Sequence, residues 1–176
     1  QLAFQDPYSA LNPTMSVGSA LEEVLSHLGA SSKQAKKKAI ALLEEVGLQA
    51  KDFSRFPHSF SGGQRQRIVI ARALAVEPTF LVLDESVAAL DVRIQEAILN
   101  LLTKIGDERR LTFLFISHDL NVMQTFCNRL MVMHKGQLIE TGLTHQVIEN
   151  PQHSYTQKLL SSRSGKRSLE ALENTA

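Results

Sequence analysis

The sequence predicts an α/β fold with a mainly parallel core sheet and helices inserted ahead of the core strands. Phe80-Leu81-Val82-Leu83 and Thr112–Ile116 are short apolar runs, the pattern of strands buried on both faces of a parallel sheet. Helical spacing of apolar residues between them gives the order strand, helix, strand. Further helical stretches lie upstream of the first run. The 176 residues correspond to one domain or most of one. Nineteen basic against eighteen acidic residues leave a formal charge of +1, which gives no global attraction to nucleic acid or anionic lipid. The single cysteine, Cys127, excludes a disulfide framework, a cysteine zinc site and a four-cysteine iron–sulfur site within the chain, and fits a reducing compartment. No run reaches the roughly 18–20 apolar residues that span a bilayer, and the start lacks the basic-then-apolar pattern of a secretory leader.

Gln1–Phe4 reads as the end of a strand whose preceding elements lie outside the chain. Asp6-Pro7 and Asn12-Pro13 are turn dipeptides, so Gln5–Thr14 is expected to be a loop. Leu21, Val24, Leu25 and Leu28 lie on one face of a first helix ended by Gly29. Ser31 or Ser32 caps a second, which buries Ala39, Leu42, Leu43 and Val46 and stops at Gly47. Lys36, Lys37 and Lys38 are expected on its solvated side. A third helix runs from Gln64 to Val76, with Ile68, Ala71, Leu74 and Ala75 inward, and Pro78 closes it. After the strand Phe80–Leu83, Asp91 caps a helix that turns Ile94, Ile98, Leu101, Leu102 and Ile105 inward. Asp119 opens another helix after the second strand, ending near Asn128. Leu130–Met133 and Leu138–Thr141 read as paired strands around a Lys135-Gly136 turn. Thr144–Glu149 and Tyr155–Leu160 are short terminal helices, and Ser161–Lys166 begins a polar, mobile tail.

The residues that carry chemistry cluster at strand ends and one helix start. Asp84-Glu85 closes the strand Phe80–Leu83, and ligands of open α/β sheets collect outside the carboxyl ends of strands. Asp84 is placed to hold Mg²⁺, through water, because Mg²⁺ keeps much of its hydration shell. Glu85 is placed to orient and deprotonate an attacking water. Two solvated acids at a strand end are the simpler alternative. Ser61-Gly62-Gly63-Gln64 opens a helix, where exposed N–H groups and the positive dipole end form an anion site, and paired glycines let a phosphate approach the backbone. The same residues also read as an ordinary N-cap. His118, just past the second strand, can donate to a phosphate oxygen or serve as a corner histidine. Gln5, where strand meets loop, can ligate Mg²⁺ by its amide oxygen or be a turn residue.

Taken in order, these residues resemble the nucleotide-binding domain of ATP-binding cassette (ABC) proteins. Phe4-Gln5 is similar to the family's Q-loop. Phe60-Ser61-Gly62-Gly63-Gln64-Arg65-Gln66-Arg67 resembles its signature motif, with Phe where Leu is more usual. Leu81-Val82-Leu83-Asp84-Glu85 resembles the Walker B strand with its catalytic glutamate, Ala88-Ala89-Leu90-Asp91 the D-loop, and Ile116-Ser117-His118-Asp119 the switch-histidine segment. Phe4–Pro13 and Asn150–Leu160 are similar to the Q-loop stretch and post-core helix of ATPases from bacterial peptide and nickel importers. Three departures stand out. Ser86 replaces a usual proline, and Ala88 a usual serine. The phosphate-cradling G-x-x-x-x-G-K-[ST] loop appears nowhere in these residues; in the family it precedes the Q-loop, as does the residue that stacks on adenine.

The resemblance implies a P-loop NTPase-like, RecA-like core with an inserted helical subdomain. The expected parts are residues 1–13 as the end of a core strand and Q-loop, 14–77 as a helical subdomain ending in the signature helix, and 78–143 as the ATPase core. Residues 144–162 would be a C-terminal extension and 163–176 a flexible tail. It further implies ATP and Mg²⁺ as ligands. Glu85 and His118 would be catalytic, Asp84 and Gln5 would hold metal, and Gln5, Ser61, Gly62, Gly63, Gln64 and Asp91 would contact nucleotide. The implied partners are a second ATP-binding subunit, identical or related, transmembrane permease subunits and, indirectly, a periplasmic or extracellular substrate-binding protein, with no nucleic acid. The implied role is ATP-driven uptake of peptides or nickel, peripheral on the cytoplasmic face of the membrane. The alternatives are a truncated partner that folds without catalysis and a soluble relative acting on nucleic acid. Without the phosphate loop, the 176 residues alone are expected to be inactive.

Overall fold

The computed structural model describes residues 1–3, 10–85, 87 and 90–163. The chain forms two compact units, Gln1–Ile116 and Ser117–Ala176. The expectations for Phe4 to Ser9, Ser86, Ala88, Ala89 and the tail beyond Arg163 lie outside the described residues.

In the first unit, β1 (Leu2–Ala3), β2 (Phe80–Asp84) and β3 (Thr112–Ile116) form a parallel sheet in the order β1-β2-β3. Leu2 pairs with Val82, Phe80 with Thr112 and Asp84 with Ile116. The helices are α1 (Val17–His27), α2 (Ser32–Glu45), α3 (Gly62–Leu74) and α4 (Val92–Arg109), with 3₁₀ turns at Ala50–Ser54 and Pro57–Ser59. Polar caps set where they begin. Ser16 Oγ accepts from the Ser19 N–H at 3.1 Å, and the Gln34 side chain accepts from the Ser31 N–H at 3.0 Å, satisfying donors a helix start leaves unpaired. Gly29 and Gly47 follow α1 and α2 at φ +88° and +78°, the left-handed conformation that ends helices.

Ala39, Leu42, Leu43 and Val46 are buried as expected. On α1, Leu21 and Leu25 are buried but Leu28 is exposed, because the helix stops at His27 and leaves Leu28 at the cap. The lysines of α2 are exposed, as expected; Lys36 Nζ lies 5.5 Å from the Phe53 ring centre, and Lys38 Nζ lies 3.4 Å from a Glu77 carboxylate oxygen at the surface.

α3 is buried on nearly every side, since it packs against α1, α2, α4 and β1. It begins at Gly62 rather than Gln64, and ends at Leu74. Glu77 at φ +51° then turns the chain toward Pro78. On α4, Ile98, Leu102 and Ile105 point inward, whereas Ile94 in the first turn stays exposed. Arg109 at its end grips Glu45 of α2 through Nε at 2.7 Å and Nη2 at 2.5 Å, a bidentate pair that fixes geometry as well as charge.

The sheet departs from expectation in one respect. Leu81, Leu83 and Phe115 are buried, but Phe80 and Ile116 on the opposite face are exposed. α4 lies on the buried side, where a Cβ on Gly106 would meet the Phe113 ring at 2.6 Å.

The second unit holds α5 (Leu120–Phe126), the antiparallel hairpin β4 (Arg129–His134) and β5 (Gln137–Leu143), α6 (Thr144–Glu149) and α7 (Ser154–Arg163). Lys135 and Gly136 turn the hairpin at φ +47° and +77°. α7 continues past the predicted end at Leu160 to Arg163. Two contacts seat its start on the hairpin. The Glu140 carboxylate accepts from the Gln152 N–H at 2.8 Å and the His153 N–H at 3.1 Å, and the Tyr155 ring stacks on His134 with centres 3.9 Å apart. Burial pushes the Glu140 carboxyl up, but Thr156, these backbone donors and His153 outweigh it and hold it below the usual carboxylate range.

Candidate functional site

Asp84 is the last residue of the central strand β2, and parallel pairing to Ile116 holds it at the carboxyl end of the sheet. Glu85 continues the ladder by one bond, its N–H donating to the Ile116 carbonyl at 2.9 Å. Its φ of +42° lies in the left-handed region, which costs a non-glycine residue energy and is concentrated at functional sites. The chain thus turns sharply at the first residue beyond the strand. Asp84 stays in the strand's alternation, on the Phe80 and Val82 face, and both carboxylates are partly exposed.

The start of α3 is a formed helix cap. Ser61 Oγ accepts from the Gln64 N–H at 3.3 Å, and Gln64 Oε1 accepts from the Ser61 N–H at 3.0 Å. This reciprocal box commits the Ser61 and Gln64 side chains to the backbone. The N–H groups of Gly62 and Gly63 lie in the first turn, where an α-helix offers no internal acceptor. The two glycines differ in what they permit. A Cβ on Gly63 would sit 2.4 Å from Ile94 Cγ2, so close packing of α3 on α4 requires glycine there. A Cβ on Gly62 would meet only Leu90 Cδ2 at 3.5 Å, an ordinary contact.

Asp91 caps α4, its Oδ1 accepting from the Ile94 N–H at 3.0 Å. The Gly63–Ile94 contact therefore sets the starts of α3 and α4 side by side. His118 belongs to the second unit, exposed, two residues beyond the last residue of β3. The Asp119 N–H donates to Ser117 Oγ at 2.9 Å, and Asp119 Oδ1 accepts from the Asn121 N–H at 2.8 Å to open α5. Gln5 lies outside the described residues. The structure thus brings together Ser61, Gly62, Gly63, Gln64 and Asp91, and places Asp84 beside Glu85.

Sequence reasoning missed the residues that hold the approach to α3. Arg65 is buried, and its Nη1 donates to the Phe60 carbonyl at 2.6 Å. Arg55 donates to the Ser59 carbonyl at 2.5 Å and to Asp52 Oδ1 at 2.7 Å, with its guanidinium carbon 4.2 Å from the Phe60 ring centre. Asp52 Oδ2 accepts from the Gln49 N–H at 2.9 Å. Burial pushes the Asp52 carboxyl up, but the Gln49 N–H and Arg55 outweigh it and hold it below the usual range. An Asp-x-x-Arg pair at i, i+3 was the available signal.

No group of three or more His, Cys, Asp or Glu that could hold a metal ion occurs among the described residues. The adjacent Asp84 and Glu85 still fit Mg²⁺, which is held by one or two carboxylates together with substrate phosphates rather than by a protein cage.

Residues 1–88 match the family model described as ABC transporter. The chain belongs to the ABC transporter family. Over 162 residues it is 48% identical to a dipeptide transport ATP-binding protein, DppF, of Haemophilus influenzae, a match that covers 92% of this chain and 50% of that one. It is 47% identical over 163 residues to the oligopeptide transport ATP-binding protein OppF of Bacillus subtilis, covering 92% and 53%. A glutathione import ATP-binding protein, GsiA, of Pectobacterium atrosepticum is 48% identical, with 92% of this chain and 26% of that one covered. The chain spans about half the length, or less, of these curated relatives. Among solved structures, CbiO1 from Clostridium perfringens, part of an ABC transporter complex, superposes with a TM-score of 0.77 at 25% identity, covering 97% of this chain and 64% of that one. A dimeric ATP-binding cassette, MJ0796, bound to ADP and phosphate superposes with a TM-score of 0.70 at 29% identity, covering 81% and 62%. These neighbours establish the fold of this ABC chain as that of the family's ATPase domains. Among the described residues, no helix is long and apolar enough to cross a membrane.

Proposed function

We propose that the chain is part of the ATP-hydrolysing subunit of an importer whose cargo is a peptide, with nickel as the alternative. The observation that carries this reading is the Asp84-Glu85 pair, set at the carboxyl end of the central parallel strand and turned there by the left-handed Glu85. In the intact protein, Asp84 and Gln5 would hold Mg²⁺, which would neutralise phosphate charge. Glu85 accepts a proton from the attacking water, and His118 donates to the terminal phosphate. Ser61, Gly62 and Gly63 present the first turn of α3 to the terminal phosphate of a nucleotide held by a second ATP-binding subunit, while Gln64 and Asp91 hold the two helix starts in place for that contact. Catalysis is then mostly positioning and charge stabilisation. The helices between Ser19 and Val46, with the Q-loop, pass closure of the pair to permease subunits at the cytoplasmic face of the membrane. The names of the dipeptide, oligopeptide and glutathione relatives support the cargo class.

The test is Glu85→Gln in the full-length gene product, assembled with its permease in proteoliposomes. ATP-dependent closure is expected to persist while turnover falls by a factor on the order of 10² or more, the scale of general-base contributions. Unchanged turnover would remove Glu85 from this role, and ATP turnover with no peptide uptake would remove the cargo reading.

A further inference from the structure

The end of α1, the first three turns of α2 and the link between α3 and β2 border a cleft that the proposed chemistry does not use. Its volume is about 740 Å³, within the range of roughly 300–1,000 Å³ of small-molecule sites. Leu25, Leu28, Ala30, Ala41, Ala75 and Val76 supply its apolar lining. Leu28 is 59% exposed, because α1 stops one residue before it. One wall is charged. α2 carries Lys33, Lys36, Lys37 and Lys38, and its first acid is Glu44. Lys37 and Lys38 line the cleft, and Lys37 has no ion-pair partner among the described residues. Lys38 Nζ lies 3.4 Å from Glu77 Oε1 on the other wall, with side chains 58% and 74% exposed, so that pair is weak and exchangeable. The cleft is separate from the Ser61–Gln64 cap, since the 13 residues of α3 put about 20 Å between its two ends. The link enters β2 at its amino end, away from Asp84.

We propose that this cleft is a binding site for a small amphipathic carboxylate, a medium-length acyl chain whose head group sits on Lys37 and Lys38 and whose tail lies over Leu25, Ala41 and Ala75. Three features identify the occupant. The chain already places one carboxylate on Lys38, that of Glu77. A ligand carboxylate that takes its place gains Lys37 as well, and Glu77 moves into water to which it is already largely exposed, so the exchange costs little. Two ammonium groups against one carboxylate leave the cleft net positive, which attracts an anion and disfavours a cation. The lining beyond the lysines is aliphatic, so an acyl tail gains by leaving water where a bare anion does not, and the lysine stems extend that apolar surface. Size excludes a larger partner element: the volume holds less than about two turns of a helix 10–12 Å across. The binding is independent of ATP turnover and of the cargo.

The chain contains no tryptophan, so Leu28→Trp at the exposed rim gives a single fluorescent reporter in the whole 176-residue chain. The probe is sodium decanoate below its micelle concentration, compared with acetate, decanol and decylammonium. The expected result is a saturable blue shift at one decanoate per chain, with a dissociation constant at least roughly tenfold lower than for any of the other three. In the unmodified chain, the Ala41 and Ala75 amide resonances are expected to shift with the same dissociation constant. Lys37→Glu combined with Lys38→Glu should weaken decanoate binding about tenfold or more, and Ala41→Phe, which fills the cleft from an exposed position, should abolish it. Glu77→Gln, which removes the competing carboxylate, should tighten it roughly threefold. Circular dichroism and the urea midpoint check that each variant is folded. Equal binding of decylammonium, or decanoate binding that survives both the lysine reversal and Ala41→Phe, would place the ligand on apolar surface elsewhere and overturn the proposal. So would recruitment of the chain to phosphatidylglycerol vesicles without a saturable decanoate site, which would assign the lysines to a membrane surface.

Discussion

At the scale of single residues, Gly62 and Gly63 separate packing from ligand binding within one motif. Gly63 is required by the fold, because its Cβ would come within 2.4 Å of Ile94 Cγ2. Gly63→Ala is expected to destabilise the chain by about 1–3 kcal/mol, the usual cost of overpacking, measured by urea unfolding. Gly62 has no such neighbour, since the added methyl meets Leu90 at 3.5 Å. Gly62→Ala should leave stability unchanged or raise it by up to roughly 1 kcal/mol, because alanine loses less backbone entropy in a helix. In the full-length protein the same change should lower ATP turnover at least tenfold, since the methyl lies where a phosphate must approach the first-turn N–H groups. Loss of stability without loss of turnover would show that Gly62 serves packing alone. Both glycines were legible in the sequence as a phosphate cradle or a cap. Only the structure shows that the cap is formed and that one glycine is left without an internal reason.

At the scale of elements, helices and strands were legible because their periodicities were clean. The inward residues of α2 read directly from i, i+3, i+4 spacing, and the Asp91 and Asp119 caps were visible as polar residues before apolar runs. The support of α3 was not legible, because it comes from irregular chain: Asp52, Arg55, Ser59 and Phe60 are joined by contacts that no period encodes. This lock has a pH signature. The Asp52 carboxyl is held below its ordinary value of 3.8, so its ionised form is favoured by folding. Its contribution is fully present above the unfolded value and is lost as pH falls through the lower folded value. Urea midpoints should therefore drop as pH is lowered below about 4. Asp52→Asn, which leaves Arg55 without its anion, should cost about 1–3 kcal/mol at neutral pH and flatten that acid-limb slope. An unchanged slope in Asp52→Asn would assign the acid sensitivity to other carboxylates, Glu140 first among them.

At the scale of the whole molecule, the apolar runs of β2 and β3 foretold burial on both faces, and the chain delivers it on one. Sequence pattern records what a strand is suited to contact, and not which of its faces the fold covers. The same reasoning bounds what this chain does with nucleotide by itself. The first turn of α3 offers an anion the helix dipole and the Gly62 and Gly63 N–H groups, worth at most about 2 kcal/mol in a favourable, partly buried setting. A dissociation constant of 1 mM needs about 4.1 kcal/mol. Asp84 and Glu85 repel phosphate unless a cation intervenes, and the G-x-x-x-x-G-K-[ST] loop that supplies most of the backbone donors and a lysine is not in the sequence. Titration calorimetry of Mg-ATP into the 176-residue chain should therefore give a dissociation constant weaker than about 1 mM, with no phosphate released on prolonged incubation. The family fold, with its Asp84-Glu85 strand end, calls for the opposite when a domain carrying such a loop supplies it: binding tighter by two orders of magnitude or more and measurable turnover that Glu85→Gln removes. Tight binding or steady hydrolysis by the chain alone would mean that its own residues hold the β- and γ-phosphates without that loop.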